Sequence, residues 1–298
     1  MTSNVFNMTL LATESQPVTA PAVPPTAAGE MSVLVWPLAV GTVLLIVWLV
    51  RHARSPKLLS LRDAPPRPNR LTPLHVMGPF VVMMLLSIPA SLSAVQNHVY
   101  GGLLVTLFTQ VGWIAASLLA AAWAFAHGLR SGGFGLTLRH GPRDTGRAVL
   151  TLLTVLPAIM GVLLLVSGPL VEWAVRHGLL SPENDRGHVL LDLIRSVDTM
   201  GKVLIVLSAV VLAPLTEELF FRGLLQSLLR NFMSPWASIV VSSVLFALMH
   251  LSAIRSVLPL LLFGLILGYV YERQGRLLAP ILIHALFNAV MLAATLAS

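Results

Sequence analysis

The stretch that most limits what this chain can become is Val203–Leu215 together with the seven residues after it. Val203–Leu215 holds nine Val, Leu and Ile residues and no charge, which suits a membrane-spanning helix; Thr216–Arg222 then reads TEELFFR, with adjacent carboxylates at Glu217 and Glu218 and a guanidinium at Arg222. An ionised side chain near mid-bilayer costs about 2.5–3.5 kcal/mol, so three cost roughly 8–10. The nine apolar residues return about 0.3–0.6 kcal/mol each, roughly 4 in all. Such a helix is stable only if its charges face protein or water and some are paired. Glu218 and Arg222 are four apart with the acid first, the favourable orientation for an ion pair on one helix face. Glu217 is turned about 100° away and has no local partner.

Composition extends this constraint to the whole chain. Of 298 residues, 56% are hydrophobic and 10% charged, with a mean hydropathy of +0.85. These values place the chain with polytopic membrane proteins. The net charge of +7 comes from 19 Lys and Arg against 12 Asp and Glu. The basic residues lie mostly in short loops between apolar runs, as the positive-inside rule expects, so a nucleic-acid partner is not implied. The absence of cysteine excludes disulfides, thiolate metal ligands and a cysteine nucleophile.

Residues 1–30 lack Lys and Arg and are rich in Thr, Ala, Pro and Ser, which predicts a disordered tail. Eight spans follow, at about Ser32–Val50, His75–Leu92, Gly101–Ala126, Ala148–Gly168, Gly201–Gly223, Pro235–Ser252, Ser256–Tyr271 and Leu278–Ala297. Arg51, Arg54, Lys57, Arg62, Arg67 and Arg70 face one Asp63 in the first loop, and Arg130, Arg139, Arg143 and Arg147 face Asp144 in the third. Arg273 and Arg276 mark another basic loop, and Asn231–Ser234 an inner turn. The loop at about Pro169–Met200 is acidic on balance and includes HVLLDLIRSV, a candidate interfacial amphipathic helix. The predicted fold is an all-α polytopic bundle of about eight helices in the cell's inner membrane, with both termini outside. It divides into the tail (1–30), N-terminal helices and loops (31–200) and a chemistry-bearing core (201–298).

Of nine histidines, only His250 and His284 lie well inside apolar runs, in FALMH and HALFN; His75 begins a span. Phe246 and His250 share a helix face, as do His284 and Asn288. Glu217, Glu218, Arg222, His250, His284 and Asn288 thus sit on three helices that can converge on one polar cavity. A carboxylate held among apolar side chains suits general-base work, and with an imidazole it could activate a water. A second imidazole and a carboxamide could donate to an oxyanion, giving amide hydrolysis without a covalent intermediate. Glu217, His250 and His284 are also a competent catalytic zinc set, and the residues leave the metal and metal-free versions open. Gly264 and Gly268 form a small-xxx-small pair that predicts close helix packing.

The motifs EExxxR (Glu217–Arg222), FxxxH (Phe246–His250) and HxxxN (His284–Asn288) occur in that order. Over about Gly201–Ser298 the chain resembles the CPBP family of intramembrane proteases, which includes type II CAAX prenyl endopeptidases and bacteriocin-processing or Abi proteins. The resemblance implies that Glu217 activates water with His250, that Glu218 and Arg222 hold the helix, and that His284 and Asn288 stabilise the oxyanion. The family is described both as metal-dependent and as glutamate-type, so the resemblance does not decide on zinc. It implies a membrane-associated peptide or protein substrate within the lipid bilayer. Two other classes stay open: a non-catalytic membrane scaffold of the bacteriocin-immunity type, and a proton-coupled transporter, for which Pro214 would break the fifth span.

Overall fold

The computed structural model describes residues 28–52, 59–91, 99–125, 128–129, 133–137, 141–181, 194 and 197–297. Among these the chain is helical, with no strand beyond one isolated bridge between Asn69 and Phe125. Eight principal helices follow in order: α1 (Ala28–His52), α2 (Pro73–Ser87), α3 (Val99–Ala124), α4 (Gly141–Arg176), α5 (Thr199–Leu229), α6 (Pro235–Leu248), α7 (Val257–Gln274) and α8 (Leu278–Ala297). Six are long and apolar enough to cross a membrane; α2 and α6 are shorter. The chain is therefore a multi-pass membrane protein. The predicted tail lies outside the described residues except for the start of α1, and so does the candidate interfacial helix except for Ile194 and Val197.

The helix boundaries follow local chemistry. His75 Nδ1 accepts from the Thr72 N–H at 3.1 Å, so the histidine that begins the second span caps α2. Asp198 accepts from the Gly201 N–H at 2.9 Å, and Ser234 from the Ala237 N–H at 3.3 Å, capping α5 and α6. Gly275, at φ 61°, ends α7 in the left-handed conformation that glycine adopts without steric cost.

Several predicted spans have different limits. Helix α4 begins at Gly141 and continues to Arg176, so parts of both flanking loops are helical. Helix α5 runs on to Leu229, six residues past the predicted end, and Pro214 does not break it. Helix α6 stops at Leu248 and is followed by a 3₁₀ segment, Leu251–Ser256, with Ala253 in a non-helical conformation. Fourteen residues rise only about 21 Å, short of a hydrocarbon core of about 30 Å. The end of α6 must then abut protein or water within that depth, since lipid cannot satisfy its last carbonyls.

The two larger of three apolar clusters among the described residues hold most of the bundle. In one, Phe220 of α5 meets Phe80 of α2 and Trp113 of α3, while Phe221 meets Phe246 of α6. In the other, Leu152, Leu156 and Ile159 of α4 pack with Phe263 and Leu267 of α7 and with Ile283 and Phe287 of α8. The predicted glycine pair does pack closely. A Cβ at Gly264 would lie 3.0 Å from the Ser243 Cβ, and one at Gly268 2.9 Å from Gln226 Oε1. Helix α5 is thereby enclosed on several sides, with Ser208, Thr216, Glu218, Arg222 and Gln226 buried.

Candidate active site

Around the acidic pair, α5 widens into π-helical turns at Leu207–Leu212 and Glu218–Gln226. Such turns are frequent at functional sites. The first has a clear cause. The Ala213 N–H donates to Ser208 O rather than to Ala209 O, and Pro214 has no N–H to offer. The Ala209 carbonyl thus lacks its usual helical donors, and Asn288 Nδ2 of α8 donates to it at 2.8 Å. Asn288 joins α8 to α5 through a backbone carbonyl.

One turn further on, four charged or titratable side chains meet. Glu218 Oε1 accepts from Arg222 Nη1 at 3.0 Å and pairs with His284 Nδ1 at 2.9 Å. Arg222 Nη2 donates to Gly264 O at 3.3 Å. The Glu218, Arg222 and His284 side chains are 0%, 1% and 4% exposed, whereas Glu217 is 20% exposed. That difference separates the two adjacent carboxylates: Glu218 is sealed in, and Glu217 is partly exposed, although its Oε2 is buried. Glu217 Oε2 lies 3.8 Å from His284 Nε2, too far for a direct hydrogen bond. The same oxygen has no hydrogen-bond partner among the described residues. His284 therefore stands between both carboxylates, presenting one ring nitrogen to each.

Phe246 links the remaining motif residues. Arg222 Cζ lies 4.5 Å from its ring centroid, the His250 and His284 rings lie 5.0 and 5.9 Å away, and the His284 contact is edge-on. His250, half-buried at the end of α6, bonds the Phe246 carbonyl through Nδ1 at 2.9 Å. A carbonyl only accepts, so this Nδ1 carries the proton and Nε2 is the acceptor in the neutral ring. Among the described residues no hydrogen bond or ion pair joins His250 to Glu217. Among the described residues the zinc set of Glu217, His250 and His284 is not assembled: His284 Nε2 faces Glu217 Oε2 at 3.8 Å, but no hydrogen bond, ion pair or ring contact joins His250 to either. Among the described residues no group of three or more His, Cys, Asp or Glu is arranged to hold a metal ion. These residues do not fit a three-ligand zinc centre.

A second buried polar cluster, unforeseen from sequence, fixes the basic end of α5. Glu272 receives Arg67 Nη2 at 2.5 Å, Arg230 Nε at 2.8 Å and Gln226 Nε2 at 3.2 Å. Arg67 also donates to Tyr271 O at 3.1 Å and lies 4.0 Å over the Tyr271 ring. The available signal was that Glu272 is the only acid within α7. Nearby, a Cβ on Gly223 would sit 2.4 Å from the Phe134 ring, so only glycine lets that loop residue plug against α5.

The fold and this cluster define a multi-pass membrane protein with a carboxylate–imidazole site enclosed among its helices. Residues 199–290 match the family model described as "Type II CAAX prenyl endopeptidase Rce1-like". Over that region the chain is similar to this CAAX-type membrane peptidase family, in line with the three motifs. It is 25% identical over 154 residues to "Putative membrane peptidase YdiL" of Bacillus subtilis, covering 51% of this chain and 59% of that protein. It is 34% identical over 86 residues to an "Uncharacterized 24.3 kDa protein" of Escherichia coli, covering 28% and 40%. It is also 31% identical over 78 residues to "UPF0177 protein YxdF" of Lactococcus lactis, covering 26% and 42%. The matches thus span about two-fifths to three-fifths of these relatives' lengths. No solved structure matches.

Proposed function

We propose that the protein is an intramembrane endopeptidase that hydrolyses a peptide bond of a membrane-associated substrate with a water activated by Glu217. The observation that carries this reading is the partial exposure of Glu217 beside a fully buried Glu218, with His284 between them. A general base must reach water, and of the two carboxylates only Glu217 has an exposed part to its side chain. Glu218, held by Arg222 and His284, positions the imidazole and does not meet the substrate. His250 Nε2 is the second acceptor that orients the water.

In the proposed step Glu217 takes one proton from water while the oxygen attacks the scissile carbonyl carbon, forming a tetrahedral oxyanion. The proton then passes to the leaving nitrogen, directly or through His284 Nε2, and the C–N bond breaks to give a carboxylic acid and an amine. The atoms balance without a co-reactant beyond water. Asn288 contributes by holding α8, and hence His284, in register with α5.

The test is Glu217→Gln in purified, reconstituted protein supplied with a membrane-anchored peptide library. The substitution keeps size and removes the base, so cleavage should fall about 10²–10⁴-fold with unchanged thermal stability. Undiminished cleavage by this variant would remove Glu217 from the chemistry.

A further inference from the structure

A cavity of about 630 Å³ lies on the opposite flank of the bundle, between α1, α4, α7 and the start of α6. Its volume is in the range of small-molecule sites, roughly 300–1,000 Å³. The walls are almost entirely apolar, including Leu44 and Leu265, and among the described residues Arg51 is the single charged one lining it. The hydroxyl of Thr154, on the α4 wall, is already donated to Leu150 O at 2.7 Å. Thr151 is the other hydroxyl on this wall, which otherwise presents apolar side chains. Three amphipathic aromatics, Trp48, Trp236 and Tyr269, also line the cavity, with Trp236 stacked on Tyr269 at 5.7 Å. Trp236 is further fixed by donating Nε1–H to Leu59 O at 3.1 Å. Trp and Tyr at this position suit the headgroup level of a bilayer. Arg51, exposed at the last turn of α1, supplies a cation at the same level.

We infer that this cavity binds one anionic glycerophospholipid, with an acyl chain between α1 and α7 and the headgroup phosphate at Arg51. The occupant follows from the lining: a long apolar slot with one cation at its aromatic rim matches a lipid bearing a negative head. Basic pockets between membrane helices are an established mode of such recognition. The lining includes no residue of α5 or α8, which carry the carboxylate–imidazole cluster. The site is therefore separate from the proposed chemistry, and its ligand is not the substrate. A bound lipid would fill the contact between the largely exposed α1 and the rest of the bundle.

Trp48 and Trp236 serve as built-in reporters. Protein in mild detergent is titrated with phosphatidylglycerol or phosphatidylcholine carrying brominated acyl chains, and tryptophan quenching is recorded. Phosphatidylglycerol should quench at about fivefold lower concentration, the contribution of one basic side chain near a lipid surface. Arg51→Gln should abolish that preference and Arg51→Lys retain it, which guards against a folding defect in the first variant. Replacing both Trp48 and Trp236 by Phe should remove the saturable component. Equal quenching by the two lipids, a preference surviving Arg51→Gln, or quenching undiminished without the two tryptophans would each overturn the site.

Discussion

Glu218 and Arg222 show how a charge is kept inside this bundle. The carboxylate has two partners, and the guanidinium bonds Glu218, caps Gly264 O and covers Phe246. Arg222→Ala removes all three of its contacts and leaves Glu218 buried with only His284. Breaking a desolvated pair in this way costs about 3–5 kcal/mol, so the variant should unfold at a clearly lower temperature in detergent. A midpoint equal to that of the parent protein would mean the pair is solvated. The ion pair was legible in sequence because i,i+4 spacing fixes which residues share a helix face. The His284–Glu218 bond was not, since it joins residues 66 apart and depends on how α8 is rotated. Placing His250 beside Glu217 rested on motif order alone. Order does not reveal that both imidazoles pack against the Phe246 ring.

At the scale of the element, α5 is shaped by Pro214 and completed by Asn288. Asn288→Ala should strand the Ala209 carbonyl and destabilise the protein by about 1–3 kcal/mol. Pro214→Ala returns an N–H to the helix, so the loss from Asn288→Ala should shrink in that background. A coupling of about 0.5–3 kcal/mol is the range for side chains that share a partner. Strict additivity in a double-mutant cycle would show that the proline is not what frees the carbonyl. The start of α5 carries a pH dependence. The Tyr100 hydroxyl, and then the Gly201 N–H, hold the Asp198 carboxyl below its ordinary range. A carboxylate lowered in the folded state stabilises the cap above the usual value near 4, and the effect is lost as pH falls through the lowered one. Amide exchange in the first turn of α5 should therefore quicken only in acid, and Asp198→Asn should flatten that profile. Sequence periodicity and breakers gave the number of helices because apolar runs and loop charges are local. The short α6 and the extended α4 and α5 were hidden because hydropathy continues past a helix end when neighbouring protein, rather than lipid, covers the backbone.

For the molecule as a whole, the loops read as basic gather at one end through specific contacts. Arg67 and Arg230 meet on Glu272, Arg273 donates to Ser60 O, and Arg276 pairs with the buried Asp144 at 2.6 Å. The opposite end holds the acidic groups read as external: Glu172 pairs with Arg255 at 3.3 Å, and Asp198 caps α5 against Tyr100. The bundle is thus polarised along its axis, with arginines in excess at the first end. By the positive-inside rule that end is expected to face the cytoplasm. Because the chain has no cysteine, single cysteines report this orientation without background. Arg62→Cys and Arg273→Cys should resist an impermeant maleimide in intact cells and react after permeabilisation. Arg176→Cys and Leu179→Cys, at and just beyond the other end of α4, should react in both conditions. The reverse labelling would turn the bundle over. It would also move the cavity beside Arg51 to the outer leaflet, while leaving the packing around Glu217 and His284 as it is.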